Sequence, residues 1–126
     1  MFFFFFFKQP KLENEVKPLI IQSFTDISIA IGVYYEKYLD ITMTVLQYAA
    51  STQVDPTDED LVEYLTTLRE SILESYASIV QSLGQEKIHK ISDESISYLM
   101  KFIEFLWNDV EIRTTGIVQQ IINIIG

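Results

Sequence analysis

Residues 61–84 read LVEYLTTLRESILESYASIVQSLG, and the spacing of the apolar residues in this stretch decides the fold class. Leu61, Leu65, Leu68, Ile72, Tyr76, Ile79 and Leu83 recur in steps of three and four. At 3.6 residues per turn these positions share one face of a helix, whereas a strand would alternate in steps of two. Glu59, Glu63, Glu70 and Glu74 fall elsewhere around that helix. Gly84 then stops it, as a residue tolerant of the left-handed region does just past a helix end.

Upstream, the chain is punctuated by VDPTDED. Asp55-Pro56 breaks a preceding helix and Thr57 is placed to cap the next. Asp58, Glu59 and Asp60 fall in the first turn, where the positive end of the helix dipole favours carboxylates. The run lacks the central Gly and closing Glu of a calcium loop, so it reads as a helix start and not a metal site. Further upstream, Pro18 opens a helix whose Ile20, Phe24, Ile27 and Ile31 define a face, and Gly32 caps it. Leu39, Met43, Leu46 and Ala50 define a second helix. The short link makes the two an antiparallel hairpin.

Downstream, QEKIHKI reads as a connector and Ser92 as the cap of a fourth helix. Ile96, Leu99, Ile103 and Leu106 point inward from it. Gly116 starts or interrupts a fifth, which ends in GIVQQIINIIG. Ile117, Ile121, Ile124 and Ile125 give that last helix an apolar face with no successor to pack on. The order is helix pair, break, helix pair, half pair. The hairpins are spaced by about 40 to 50 residues, the period of HEAT-type arrays, in which each pair buries a face against its neighbours. Met1–Phe7 is set apart as low complexity, and residues 1–15 are left out of the fold; residues 16–126 carry about two and a half repeats. Seven apolar residues are too few to cross a bilayer, so no membrane insertion is expected.

Composition narrows function mainly by exclusion. Eighteen acidic residues against nine basic give a formal net charge of -9. Such a surface repels nucleic acid, whose binding depends on Lys and Arg, and attracts basic partners. There is no Cys, which removes disulfides, thiolate nucleophiles and Cys-based zinc sites. The single His, His89, lies in the connector and serves no triad. No phosphate-binding glycine motif occurs among four glycines. No catalytic residue, cofactor or metal is expected, and the chain does not read as an enzyme. Tyr34-Tyr35 and Trp107 read as packing residues at helix ends. For Trp107 the alternative is an exposed anchor for a partner, a role in which Trp is enriched.

Two stretches go further than periodicity. Residues 15–55 carry Val16-Lys17-Pro18, Phe24, Asp26-Ile27, Ala30-Ile31-Gly32 and Tyr38-Leu39. Residues 61–84 carry Tyr64-Leu65, Leu68-Arg69-Glu70-Ser71, Leu73-Glu74, Tyr76 and Ile79-Val80-Gln81. Together they resemble consecutive repeats near the C-terminal end of the importin-β (karyopherin-β) family of nuclear import receptors. The resemblance implies an all-α, right-handed HEAT-repeat solenoid, with first helices on the convex side and second helices on the concave side. It implies protein transport between cytoplasm and nucleus, with importin-α or a basic cargo protein as partner. The family's main contacts with the GTPase Ran fall in repeats absent from this chain. Carried onto these residues, the concave wall is 35–51 and 93–108. Its candidate partner-binding residues are Glu36, Asp40, Gln47, Glu94, Glu104 and Asn108, chosen by helix face, together with Trp107. The alternative from another class is a HEAT scaffold fragment of a non-transport assembly.

Overall fold

A computed structural model describes residues 16–109 and 115–125; the low-complexity start at 1–15 lies outside the described residues. Among the described residues five α-helices carry the fold: α1 Val16–Ile31, α2 Leu39–Ala50, α3 Glu59–Lys87, α4 Asp93–Asn108 and α5 Thr115–Ile125. Two 3-10 segments, Gly32–Tyr38 and Ile88–Lys90, link them, and among the described residues there is no strand. α1, α3 and α5 form one layer with α3 in the middle, while α2 and α4 pack side by side as the second. This is the expected all-α architecture.

α3 is central because it is apolar on more than one side. Leu65, Leu68, Ile72, Tyr76, Ile79 and Leu83 are buried as their spacing predicts, but so are Leu73, Ser75, Ala77 and Ser78. Of these, Ser78 meets α1. Ser28 Oγ donates to the Thr25 carbonyl and lies 2.8 Å from Ser78 Oγ. Short hydroxyl side chains let the two backbones approach, and Ser28 and Ser78 satisfy each other, while the buried Thr25 Oγ1 and Ser75 Oγ have no hydrogen-bond partner among the described residues. This seam shifts the expected face of α1 without removing it from the core. Its buried residues are Pro18, Ile21, Phe24, Thr25 and Ser28; Ile20 and Ile31 are half-buried, and Ile27 is exposed. An apolar count alone rotates the helix wrongly, because the contact uses Ser and Thr.

The punctuation is otherwise close to expectation. Gly32 takes the left-handed φ of +57° where α1 ends. Asp58, and not Thr57, caps α3: its carboxylate accepts from the Asp60 and Leu61 amides, while Thr57 is held in the preceding turn by Asp55. Gly84 leaves helical geometry at φ 70°, ψ 178°, but the chain resumes a helical turn to Lys87. The stretch after Gly84 is therefore a kinked extension and not an irregular connector. Ser92 Oγ accepts from the Ser95 amide at the start of α4, as read from the sequence.

α5 docks on α3 through Ile117 and Ile121, both buried in the common core. The approach is close at its start: a Cβ on Gly116 would sit 2.5 Å from Glu70 Oε1. The face expected to be bare is therefore covered by α3 at its described residues. Ile124 is half-buried, Ile122 is exposed, and the Ile125 side chain lies outside the described residues. The stretch Val16–Ala50 is apolar and long enough to cross a membrane by length and composition. Here it is interrupted at Gly32 and buries Ile21, Phe24, Tyr35, Met43, Val45 and Leu46 in the core.

Candidate partner-binding surface

α2 and α4 are the helices on which the sequence reading put the candidate residues. Each exposes the face opposite its core residues: Asp40 and Thr44 on α2, with Ser51 at its C-cap, and Glu94, Ser97, Lys101, Glu104 and Asn108 on α4. Asp40 sits in the first turn of α2 and Glu94 in the first turn of α4, each favoured there by the helix dipole. Among the described residues, Asp40, Glu94 and Glu104 form no ion pair.

Two of the candidates are committed elsewhere. Gln47 lies between the helices: its Nε2 donates to Ser95 Oγ at 3.4 Å, and its carbonyl accepts from the Tyr98 hydroxyl at 3.1 Å. It fastens α2 to α4. Glu36 precedes α2, in the 3-10 segment, where Lys87 Nζ lies 2.8 Å and Lys90 Nζ 3.5 Å from its carboxylate oxygens. The Lys87 hydrogen bond holds the Glu36 carboxyl below its ordinary range and raises the Lys87 ammonium in turn. The QEKIHKI segment thus supplies the cations that neutralise Glu36, a pairing across about 50 residues that no local pattern reveals. Glu36, Asp40, Lys37 and Lys87 share one shallow depression with Val33 and Tyr34.

The aromatic candidates divide. Tyr35 is buried, its hydroxyl 2.8 Å from Thr42 Oγ1, and its ring meets Tyr38 edge-on. Tyr34 is exposed. Trp107 is 47% exposed, so it is not a core packing residue. It lines an open groove of about 820 Å³ between α4 and α5, with Met100, Ile103, Ile121 and Ile122 as apolar neighbours and Glu104 and Asn108 on the rim. Met100 and Ile122 were not singled out in sequence, and Ile121 was read only as part of the apolar face of the last helix. Only the folded position of α5 brings them beside Trp107.

Behind the wall, Arg69 of α3 is buried and reaches Asp109 at the end of α4, with Nη1 3.1 Å from Oδ2. Its guanidinium also lies over the Phe105 ring at 5.2 Å. These contacts fix the end of α4 that carries Glu104, Trp107 and Asn108. Among the described residues no three His, Asp or Glu are grouped to hold a metal.

Comparison with known proteins agrees with this architecture. A family model described as importin subunit beta-1-like, TPR repeats, matches residues 2–126. Importin subunit beta-1 of Schizosaccharomyces pombe (strain 972 / ATCC 24843) is 38% identical over 73 residues, which are 57% of this chain and 8% of that protein. Importin subunit beta-1 of Arabidopsis thaliana is 31% identical over 99 residues, 77% of this chain and 11% of that protein. A crystal structure of importin beta in an ammonium sulfate condition superposes with a TM-score of 0.83 at 27% identity, covering 94% of this chain and 14% of that one. A second, in a polyethylene glycol condition, gives 0.80 at 22% identity over 97% of this chain and 15% of that one, and speaks for the fold alone. The chain spans about a tenth of the length of the curated relatives it matches.

Proposed function

The chain belongs to the importin subunit beta-1-like family of nuclear transport receptors, and we propose that its second-helix layer is one part of a receptor wall that takes up a basic segment of importin-α or of a basic cargo protein. One observation carries the reading: Asp40, Glu94 and Glu104 stand exposed on two helices packed side by side, with no ion pair among the described residues. A net charge of -9 adds a long-range field that draws basic chains to this surface. The role is binding without catalysis, and it places the chain in both cytoplasm and nucleus as part of the transport cycle. Family membership favours this over a scaffold in a non-transport assembly.

Each exposed charge contact contributes only about 0 to 1 kcal/mol. Two and a half repeats therefore bind weakly, and a full receptor gains from many repeats acting on one ligand. Titration of a labelled Arg/Lys-rich peptide, followed by fluorescence anisotropy, tests the wall. An Asp40→Lys, Glu94→Lys, Glu104→Lys variant should bind less tightly than wild type at low salt. The difference should fade as the Debye length shrinks from about 10 Å at 0.1 M to about 3 Å at 1 M. Equal binding by both proteins at low salt would remove the wall.

A further inference from the structure

Of the carboxylates considered for the wall, Glu36 already holds cations. Lys87 Nζ lies 2.8 Å from its Oε2 and Lys90 Nζ 3.5 Å from its Oε1, one ammonium to each oxygen. Exposed ion pairs are ordinarily incidental, but the fold fixes both sides of this one. Glu36 follows buried Tyr35, and its carbonyl accepts from the Leu39 amide where α2 begins. Lys87 and Lys90 lie between two fixed points: Gly84, whose φ of 70° and ψ of 178° redirect the chain, and Ile91, which is buried in the core. Between those points the Ile88 amide donates to the Gly84 carbonyl and the Ile91 amide to the Ile88 carbonyl. Residues three apart in so tight a turn eclipse one another, which sends both ammonium groups to the same side. Nine of 126 residues are Lys or Arg, so two on one carboxylate is a concentrated use of scarce cations. Glu36 also shares its depression, of about 400 Å³, with Asp40 of the wall.

We propose that Lys87 and Lys90 are a built-in occupant of the wall, an autoinhibitory contact. They fill Glu36 as a Lys or Arg of a basic ligand would, and the wall gains this carboxylate only when they are displaced. The inference rests on the reading of α2 and α4 as a wall for basic segments, and adds a masked contact to it. A ligand held at Asp40 brings its next cation beside Glu36, where it competes with the two lysines. Because all three side chains are partly exposed, the exchange swaps one hydrated ion pair for another and has little net cost in free energy.

The test is a double-mutant cycle on the full chain, read by the anisotropy of the labelled Arg/Lys-rich peptide at low salt. The Lys87→Gln, Lys90→Gln variant, in which Glu36 is unmasked, should bind the peptide about two- to fivefold more tightly than wild type, the scale of one exposed charge contact. Glu36→Gln should then cost at least about twofold more in that variant than in wild type, where the lysines already hold the carboxylate. If the lysines acted through net charge alone, Glu36→Gln would cost the same factor in both backgrounds. The Asp40→Lys, Glu94→Lys, Glu104→Lys variant separates this proposal from the reading it rests on. If that variant binds as wild type does, the wall is removed and the masking with it. If it binds less tightly while Glu36→Gln costs the same in both backgrounds, the wall stands and the masking is overturned. Lys87 and Lys90 would then only fasten the turn after Gly84 to the link between α1 and α2.

Discussion

Removing the carboxylate of Asp109 should cost more stability than removing the guanidinium of Arg69. The Arg69 side chain is 3% exposed and that of Asp109 is 27% exposed. Taking Asp109 away strands a buried cation whose Nε already has no hydrogen-bond partner among the described residues. Breaking a fully buried pair from one side costs about 3–5 kcal/mol. Water reaching the Asp109 side brings Asp109→Ala down to about 2–3 kcal/mol. Arg69→Met instead replaces the cation with an apolar chain of similar length and leaves Asp109 to water, so it should stay within about 1 kcal/mol of wild type. The double variant should resemble Arg69→Met, because the stranded charge is gone. Urea unfolding followed by far-UV circular dichroism measures this. With a slope of about 1.5 kcal/mol per molar, Asp109→Ala should lower the midpoint by about 1.5 M. An Arg69→Met variant as unstable as Asp109→Ala would refute the reasoning, and would mean that packing of the Arg stem, not its charge, holds α4 to α3.

Gly84→Ala should destabilise by about 1–3 kcal/mol although nothing lies within 4 Å of the added Cβ, because φ 70° with ψ 178° is a region open essentially to Gly alone; Gly32→Ala, at a positive φ of 57°, should cost about 1–2 kcal/mol by the same denaturation. At the α1–α3 seam, Ser78→Leu should cost about 1–3 kcal/mol by overpacking, and Ser78→Ala about 1 kcal/mol, both read as shifts in thermal midpoint. Glu36 has a folded pKa below its unfolded value, so its contribution is present above the ordinary carboxyl range and is lost as pH falls through the folded value. Wild type should therefore be the more stable of the pair with Glu36→Gln at pH 7, with the gap closing below about pH 4 in a thermal melt series.

The helices, their order and most of their limits were legible because long amphipathic segments state their period directly: Leu65 through Leu83 are buried where the spacing puts them. The caps at Gly32 and Ser92 were legible for the same local reason. What was misread depends on residues distant in sequence. Ser28 and Ser78 meet across 50 positions and turn α1 away from its most apolar face. Lys87 reaches Glu36 across 51 and takes it out of the free acidic set. The face of α4 was legible as solvent-facing. That Met100 and Trp107 border a groove was not, because its other side is Ile121 and Ile122 on a helix whose docking on α3 only the fold determines.

The most direct test of the wall is to map a basic peptide residue by residue on the isotopically labelled chain by amide chemical-shift perturbation at low salt. The account predicts shifts concentrated at Asp40 and Thr44 of α2 and at Glu94, Ser97, Lys101 and Glu104 of α4, all receding together as salt is raised. Shifts confined to the outer side of α1, at Leu19 and Ile29, or an unperturbed spectrum at saturating peptide, would contradict it.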